Sequence, residues 1–127
     1  MKDLPKIVVI DTDPRYRGLF EEALTDAYAV EPHTAGPTGL ASCRQAPPDA
    51  VVVDLESART ERMFLLGALG AASGMAKVPI IVWTSGGLDG QTRARLEGHP
   101  NVRAVVDKIA GWRALRAALG AALPAAD

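Results

Sequence analysis

The sequence predicts an α/β fold, a three-layer doubly wound sheet of five parallel strands, and three observations carry that reading. Runs at 6–10, 50–53 and 78–83 are apolar and rich in β-branched residues without polar alternation, the pattern of strands buried on both faces beneath helices. Each run ends directly in polar residues: Asp11, Asp54 and the pair Thr84-Ser85. Between the strands lie segments with apolar residues at helical spacing, and a strand-helix alternation is satisfied by right-handed crossovers into a parallel sheet. Ligands of open α/β sheets collect beyond the carboxyl ends of the strands. Asp11, Asp54 and Thr84 are therefore expected in one crevice.

Taken in order, Lys6 to Ile10 is the first strand, and Asp13-Pro14 opens the first helix. Aspartate at the N-cap accepts a free amide proton, and proline at the next position has none to leave unsatisfied. Tyr16, Leu19, Phe20, Ala23, Leu24 and Ala27 then fall on one helical face. Ala29 to Thr34 is a weaker strand, and Pro32 confines it to an edge. Gly36-Pro37 starts a short helix carrying Leu40, Ala41 and Cys43, which Pro47-Pro48 ends. The central strand, Ala50 to Asp54, drives straight into Leu55-Glu56 with no turn residue. Ser57 to Thr60 reads as loop and Glu61 to Ala72 as helix, with Met63, Phe64, Leu66, Gly67 and Gly70 to arrange. Val78 to Trp83 is the fourth strand. Asp89 to Glu97 is a polar helix with only Leu88, Ala94 and Leu96 to bury, expected to be the loosest element. Asn101 to Val106 is the fifth strand, and Gly111 to Leu123 the last helix, with Trp112, Leu115, Leu119 and Ala122 facing inward.

Composition narrows the functional classes. The 127 residues suit a single domain, 1–127, with no separate output domain; a chain of that length buries roughly 65% of its extended surface. Fourteen basic against 15 acidic residues leave a net charge of −1, which gives no electrostatic footprint for nucleic acid. Cys43 is the only cysteine, so no internal disulfide forms; it reads as a small apolar filler. No run approaches the ~20 apolar residues of a membrane span, and the start Met1-Lys2-Asp3-Leu4-Pro5 lacks a signal-peptide core. A soluble, cytoplasmic protein is expected.

Four residues in order, Asp11, Asp54, Thr84 and Lys108, stand at the ends of four predicted parallel strands. In this the chain resembles a response-regulator receiver domain of two-component and phosphorelay signalling, over essentially its whole length. The resemblance implies a flavodoxin-like sheet order of 2-1-3-4-5 and a phosphorylation site at Asp54. It implies that Thr84 and Lys108 contact the phosphoryl oxygens, and that small Ser85 leaves the group room to enter. A carboxylate can attack phosphorus to give an aspartyl phosphate. Mg²⁺ would neutralise the phosphoryl oxygens, with hard oxygen ligands from Asp11, Asp54 and the vicinity of Glu56. The implied partners are a histidine kinase or phosphotransfer protein and a downstream protein that reads the α4-β5-α5 face, a homodimer being compatible with the same face.

Several positions depart from the family pattern. The second acid after strand one is Thr12, a poor ligand for Mg²⁺, so metal binding is expected to be weakened. Ala58, Arg62, Ile109 and Val105 replace, respectively, a proline, a glycine, a second proline and the aromatic switch residue of strand five. These departures keep a second class open, a pseudo-receiver that binds a protein partner without phosphorylation. A third is a phosphatase of the haloacid dehalogenase type, because Asp11-Thr12-Asp13 also resembles that family's paired acids. Pro14 in place of its glycine, and Asp54 left without a role, count against it. No enzymatic activity beyond self-catalysed phosphotransfer and dephosphorylation is expected of the receiver reading.

Overall fold

The computed structural model describes residues 3–55 and 59–123. Its strands β1 (Lys6–Ile10), β2 (Ala29–His33), β3 (Ala50–Asp54), β4 (Ile80–Thr84) and β5 (Val102–Asp107) form one sheet in the order β2-β1-β3-β4-β5, with every pairing parallel. Helices α1 (Pro14–Leu24), α2 (Gly36–Gln45), α3 (Arg59–Ala71), α4 (Gly90–Gly98) and α5 (Gly111–Ala122) alternate with the strands, and a 3-10 turn, Lys108–Ala110, precedes α5. This is the doubly wound parallel architecture expected from the apolar runs, in the flavodoxin-like strand order that the resemblance implies.

The two faces of the sheet have separate cores, because successive side chains of a strand point to opposite sides. Val8, Ile10, Val51, Val53, Ile80 and Val82 pack with α2, α3 and α4, through Cys43, Leu65, Leu66, Leu69 and Leu96. Ile7, Val9, Val52, Ile81 and Trp83 pack with α1 and α5, through Phe20, Leu24, Leu115 and Leu119. Close approach of α2 to the sheet requires Gly39, where a Cβ would stand 2.5 Å from Ile10 Cδ1.

Local chemistry sets the helix starts. Asp13 caps α1, its side chain accepting from the Arg15 amide, and Asp89 caps α4 by accepting from the Thr92 amide. The buried Asn101 locks the turn before β5, its amide nitrogen donating to the carbonyl oxygens of Met75 (2.8 Å) and Val78 (3.0 Å). His99 Nε2 donates to Leu66 O at 2.8 Å and Nδ1 accepts from the Asn101 amide, which ties α3 to the same turn.

Several local expectations are corrected. Strand β4 starts at Ile80 and includes Thr84, and β5 runs on to Asp107, because Thr84 and Asp107 remain in register as partners. Helix α3 starts by Arg59, within the segment expected to be loop. Its buried stripe is Arg62, Leu65, Leu66 and Leu69, which turns Phe64 outward to 78% exposure. Leu19 and Ala94 are exposed as well, leaving Leu96 as the buried residue of α4.

Candidate functional site

Asp11 and Asp54 leave the carboxyl ends of β1 and β3, adjacent strands in register from Ile7 with Ala50 to Ile10 with Val53. Both carboxylates are buried, and both meet one ammonium group. Lys108 Nζ lies 3.3 Å from Asp11 Oδ2 and 3.1 Å from Asp54 Oδ1, with its own side chain 4% exposed. Lys108 reaches them from the first position after β5, where the Asp107 side chain caps the 3-10 turn by accepting from the Ile109 amide at 2.9 Å. Asp11 is further fixed by its backbone, which donates to His33 O at 3.0 Å, and by its Oδ1, which accepts from the Asp13 amide at 2.9 Å.

The electrostatics follow from that placement. Burial pushes the Asp11 carboxyl above the usual carboxylate range; the Asp13 amide opposes the shift, neighbouring Asp54 adds to it, and Lys108 opposes it. Two negative charges and one positive charge thus share a water-poor crevice. Asp13 is the opposite case. The Arg15 side chain holds it at about 2, so the carboxylate that caps α1 is not a proton donor near neutral pH.

Lys108 rests on an aromatic platform that the sequence pattern did not reveal. Its Nζ is 4.1 Å from the centroid of the Tyr16 ring and 5.9 Å from that of Trp83, distances at which ring quadrupoles attract a cation. Trp83 is the β4 register partner of Asp54 and stacks on Trp112 at 5.3 Å between centroids. Thr84, one residue on, is 2% exposed, and its Oγ1 is buried without a hydrogen-bond partner. Ser85 beside it is exposed. Gly86 follows with φ 92°, a conformation suited to glycine, and a Cβ there would approach Asp107 Oδ2 to 3.2 Å.

The structure therefore brings together Asp11, Asp54 and Lys108 and sets the Thr84 hydroxyl at the end of the neighbouring strand. Glu56, expected near the metal, lies outside the described residues, and Thr12 is exposed. Among the described residues no group of three or more His, Cys, Asp or Glu side chains converges. A pair of buried carboxylates nonetheless fits Mg²⁺, which takes hard oxygen donors and commonly uses only one or two carboxylates, the rest of its shell being water and phosphate oxygens. No helix among the described residues is long and apolar enough to cross a membrane.

Many solved structures similar to the chain are receiver domains. The chemotaxis protein CheY4 of Vibrio cholerae superimposes with a TM-score of 0.83 at 20% identity, covering 94% of this chain and 99% of that one. The receiver domain of a sensor histidine kinase from Pseudomonas aeruginosa, which holds a magnesium ion in its active-site cleft, gives 0.79 at 19% identity over 93% and 96% of the two chains. A response-regulator receiver domain from Clostridium thermocellum gives 0.78 at 20% identity, covering 94% of each chain. No family model matches the chain, and no curated protein does. At these identities the likeness is one of fold, and the fold is that of receiver domains.

Proposed function

We infer that the protein is a phosphoacceptor of a two-component or phosphorelay pathway, with Asp54 as the residue phosphorylated. The observation that carries this reading is the Thr84 hydroxyl, buried without a partner beside a crevice in which one lysine bridges two acids. An unsatisfied buried hydroxyl costs about 1–3 kcal/mol, and a hydroxyl placed to donate to a phosphoryl oxygen gives that cost a purpose.

An Asp54 carboxylate oxygen attacks the phosphorus of a phosphohistidine, the new O–P bond forming as the N–P bond breaks. The bonding pair leaves on the imidazole nitrogen, which takes up a proton. Lys108 offsets the charge on Asp11 and Asp54 beforehand and turns to a phosphoryl oxygen afterwards, while Thr84 donates to another. Exposed Ser85 is small enough to admit the group. Asp11 and Asp54 are the residues to hold Mg²⁺, which when bound neutralises the phosphoryl oxygens. A histidine kinase or phosphotransfer protein is the donor. The signal reaches a partner across α4, β5 and α5, where α4 is anchored in the core by Leu96.

Intact mass after incubation with acetyl phosphate and Mg²⁺ tests this. The wild type gains one phosphoryl group and Asp54→Asn gains none. A wild type that never labels, with Mn²⁺ or a cognate kinase included, places the protein among pseudo-receivers.

A further inference from the structure

The molecule holds a second buried cation away from the Lys108 crevice, and among the described residues two of its three nitrogens find no partner. Arg62 is 2% exposed, and its Nε and Nη2 are buried with no hydrogen-bond partner. The cause is its place in α3, one turn ahead of Leu65 and Leu66 on the stripe that faces the core. Glu61, next in sequence, is exposed and offers those nitrogens no bond.

The guanidinium faces the start of α2. Its Nη1 stands 3.0 Å from where a Cβ on Gly36 would be. Helix α2 has Ala35 at its N-cap and no side-chain cap. Pro37 carries no amide proton, and the first backbone bond across the helix start runs from the Gly39 amide to Ala35 O at 3.3 Å. The amides of Gly36 and Thr38 therefore belong to an uncapped helix terminus, which carries partial positive charge. A buried cation against the positive end of a helix is repulsive in both partners, and an anion between them reverses the sign of both interactions.

The surroundings define the rest of the ligand. A groove of about 470 Å³ runs between α2 and α3 from Gly36 and Arg62, walled by Pro37, Leu40, Phe64, Leu65 and Ala68, with the exposed Glu61 the one acidic side chain on its lining. Its size is that of a small-molecule site, and the ring of Phe64 stands at its lip, 78% exposed. Inorganic anions would leave these apolar walls unused. We propose that the α2-α3 groove binds a small organic acid, its carboxylate held by Arg62 and the α2 amides of Gly36 and Thr38 and its apolar body lying along Leu40, Phe64 and Leu65.

Phenylacetate is the probe, with its methyl ester and inorganic phosphate as comparators, followed by amide NMR shifts of the full chain. Phenylacetate should move the Gly36 and Thr38 resonances saturably, and the ester and phosphate should bind much more weakly. Arg62→Leu keeps the volume of the stripe and should weaken phenylacetate by about tenfold or more, the scale of a lost charge-assisted bond. Gly36→Ala, which crowds Nη1, should weaken it as well, while Asp54→Asn should bind as the wild type does. No movement of the two amides, equal binding by phosphate or by Arg62→Leu, or loss of binding in Asp54→Asn would each overturn the assignment, the last because it would put the acid at Lys108.

Discussion

The two faces of the sheet are built from different materials. On the α1-α5 face, Tyr16, Phe20, Trp83 and Trp112 touch one another, with Phe20 and Trp112 at 5.0 Å between centroids. On the α2-α3-α4 face the core is aliphatic, and the nearby aromatic side chain, Phe64, points to solvent. Each face also buries a cation. Lys108 has two carboxylates and a Tyr16 ring around it, whereas Arg62 has two nitrogens without a partner. Among the described residues one cation is fully provided for and the other only in part. A buried charge that its own fold leaves uncompensated is the place to look for something from outside.

The largest effect should come from the aromatic face. Trp83→Ala removes the ring beneath Asp54 and Lys108 and should cost about 3–5 kcal/mol of stability in urea denaturation; a cost near zero would mean that the stack is not packed as a core. The aliphatic face should answer a change at its cation with the opposite sign. Arg62→Leu, which replaces an unpaired buried charge by an apolar group, should raise stability by about 1–4 kcal/mol in the same assay, and a loss would show that the guanidinium is satisfied in solution.

A smaller, pH-dependent effect belongs to the edge of the α2 face. Glu31 accepts from His33 and Ser42 and pairs with Lys6 at 3.1 Å, and these partners, His33 foremost, hold its carboxyl at about 2 against an ordinary 4.5. A depressed carboxyl stabilises the fold above its unfolded value, and that stability is lost as the pH falls from 4.5 toward about 2. Glu31→Gln should flatten urea midpoints across that window, by under about 1 kcal/mol because the group is a third exposed and screened. Asp11 works in the other direction. Its carboxyl is raised, so its contribution is present below 3.8 and is lost as the pH climbs through the folded-state value. The smallest effect should be Phe64→Ala, within about 0.5 kcal/mol in paired melts, in contrast to Phe20→Ala on the opposite face.

Much of the fold was legible in the residues themselves. Strand and helix periods are properties of neighbouring positions, so the apolar runs ending at Ile10, Val53 and Trp83, the Asp13-Pro14 helix start and the edge placement of Pro32 could be read without coordinates. The order of Asp11, Asp54, Thr84 and Lys108 at strand ends was legible for the same reason. What periodicity does not carry is which side chains from distant elements meet. Tyr16, Trp83 and Lys108 come from α1, β4 and the end of β5, and only the strand register together with the packing of α1 puts two rings against one ammonium group. Arg62 was visible as a departure from a glycine, but its burial depends on how α3 rolls to set Leu65, Leu66 and Leu69 on the sheet. Local sequence determined the elements and their polar ends; tertiary packing alone decided that one buried cation is enclosed by acids and the other is left facing the start of α2, because the charge a side chain meets is set by neighbours far away in the chain.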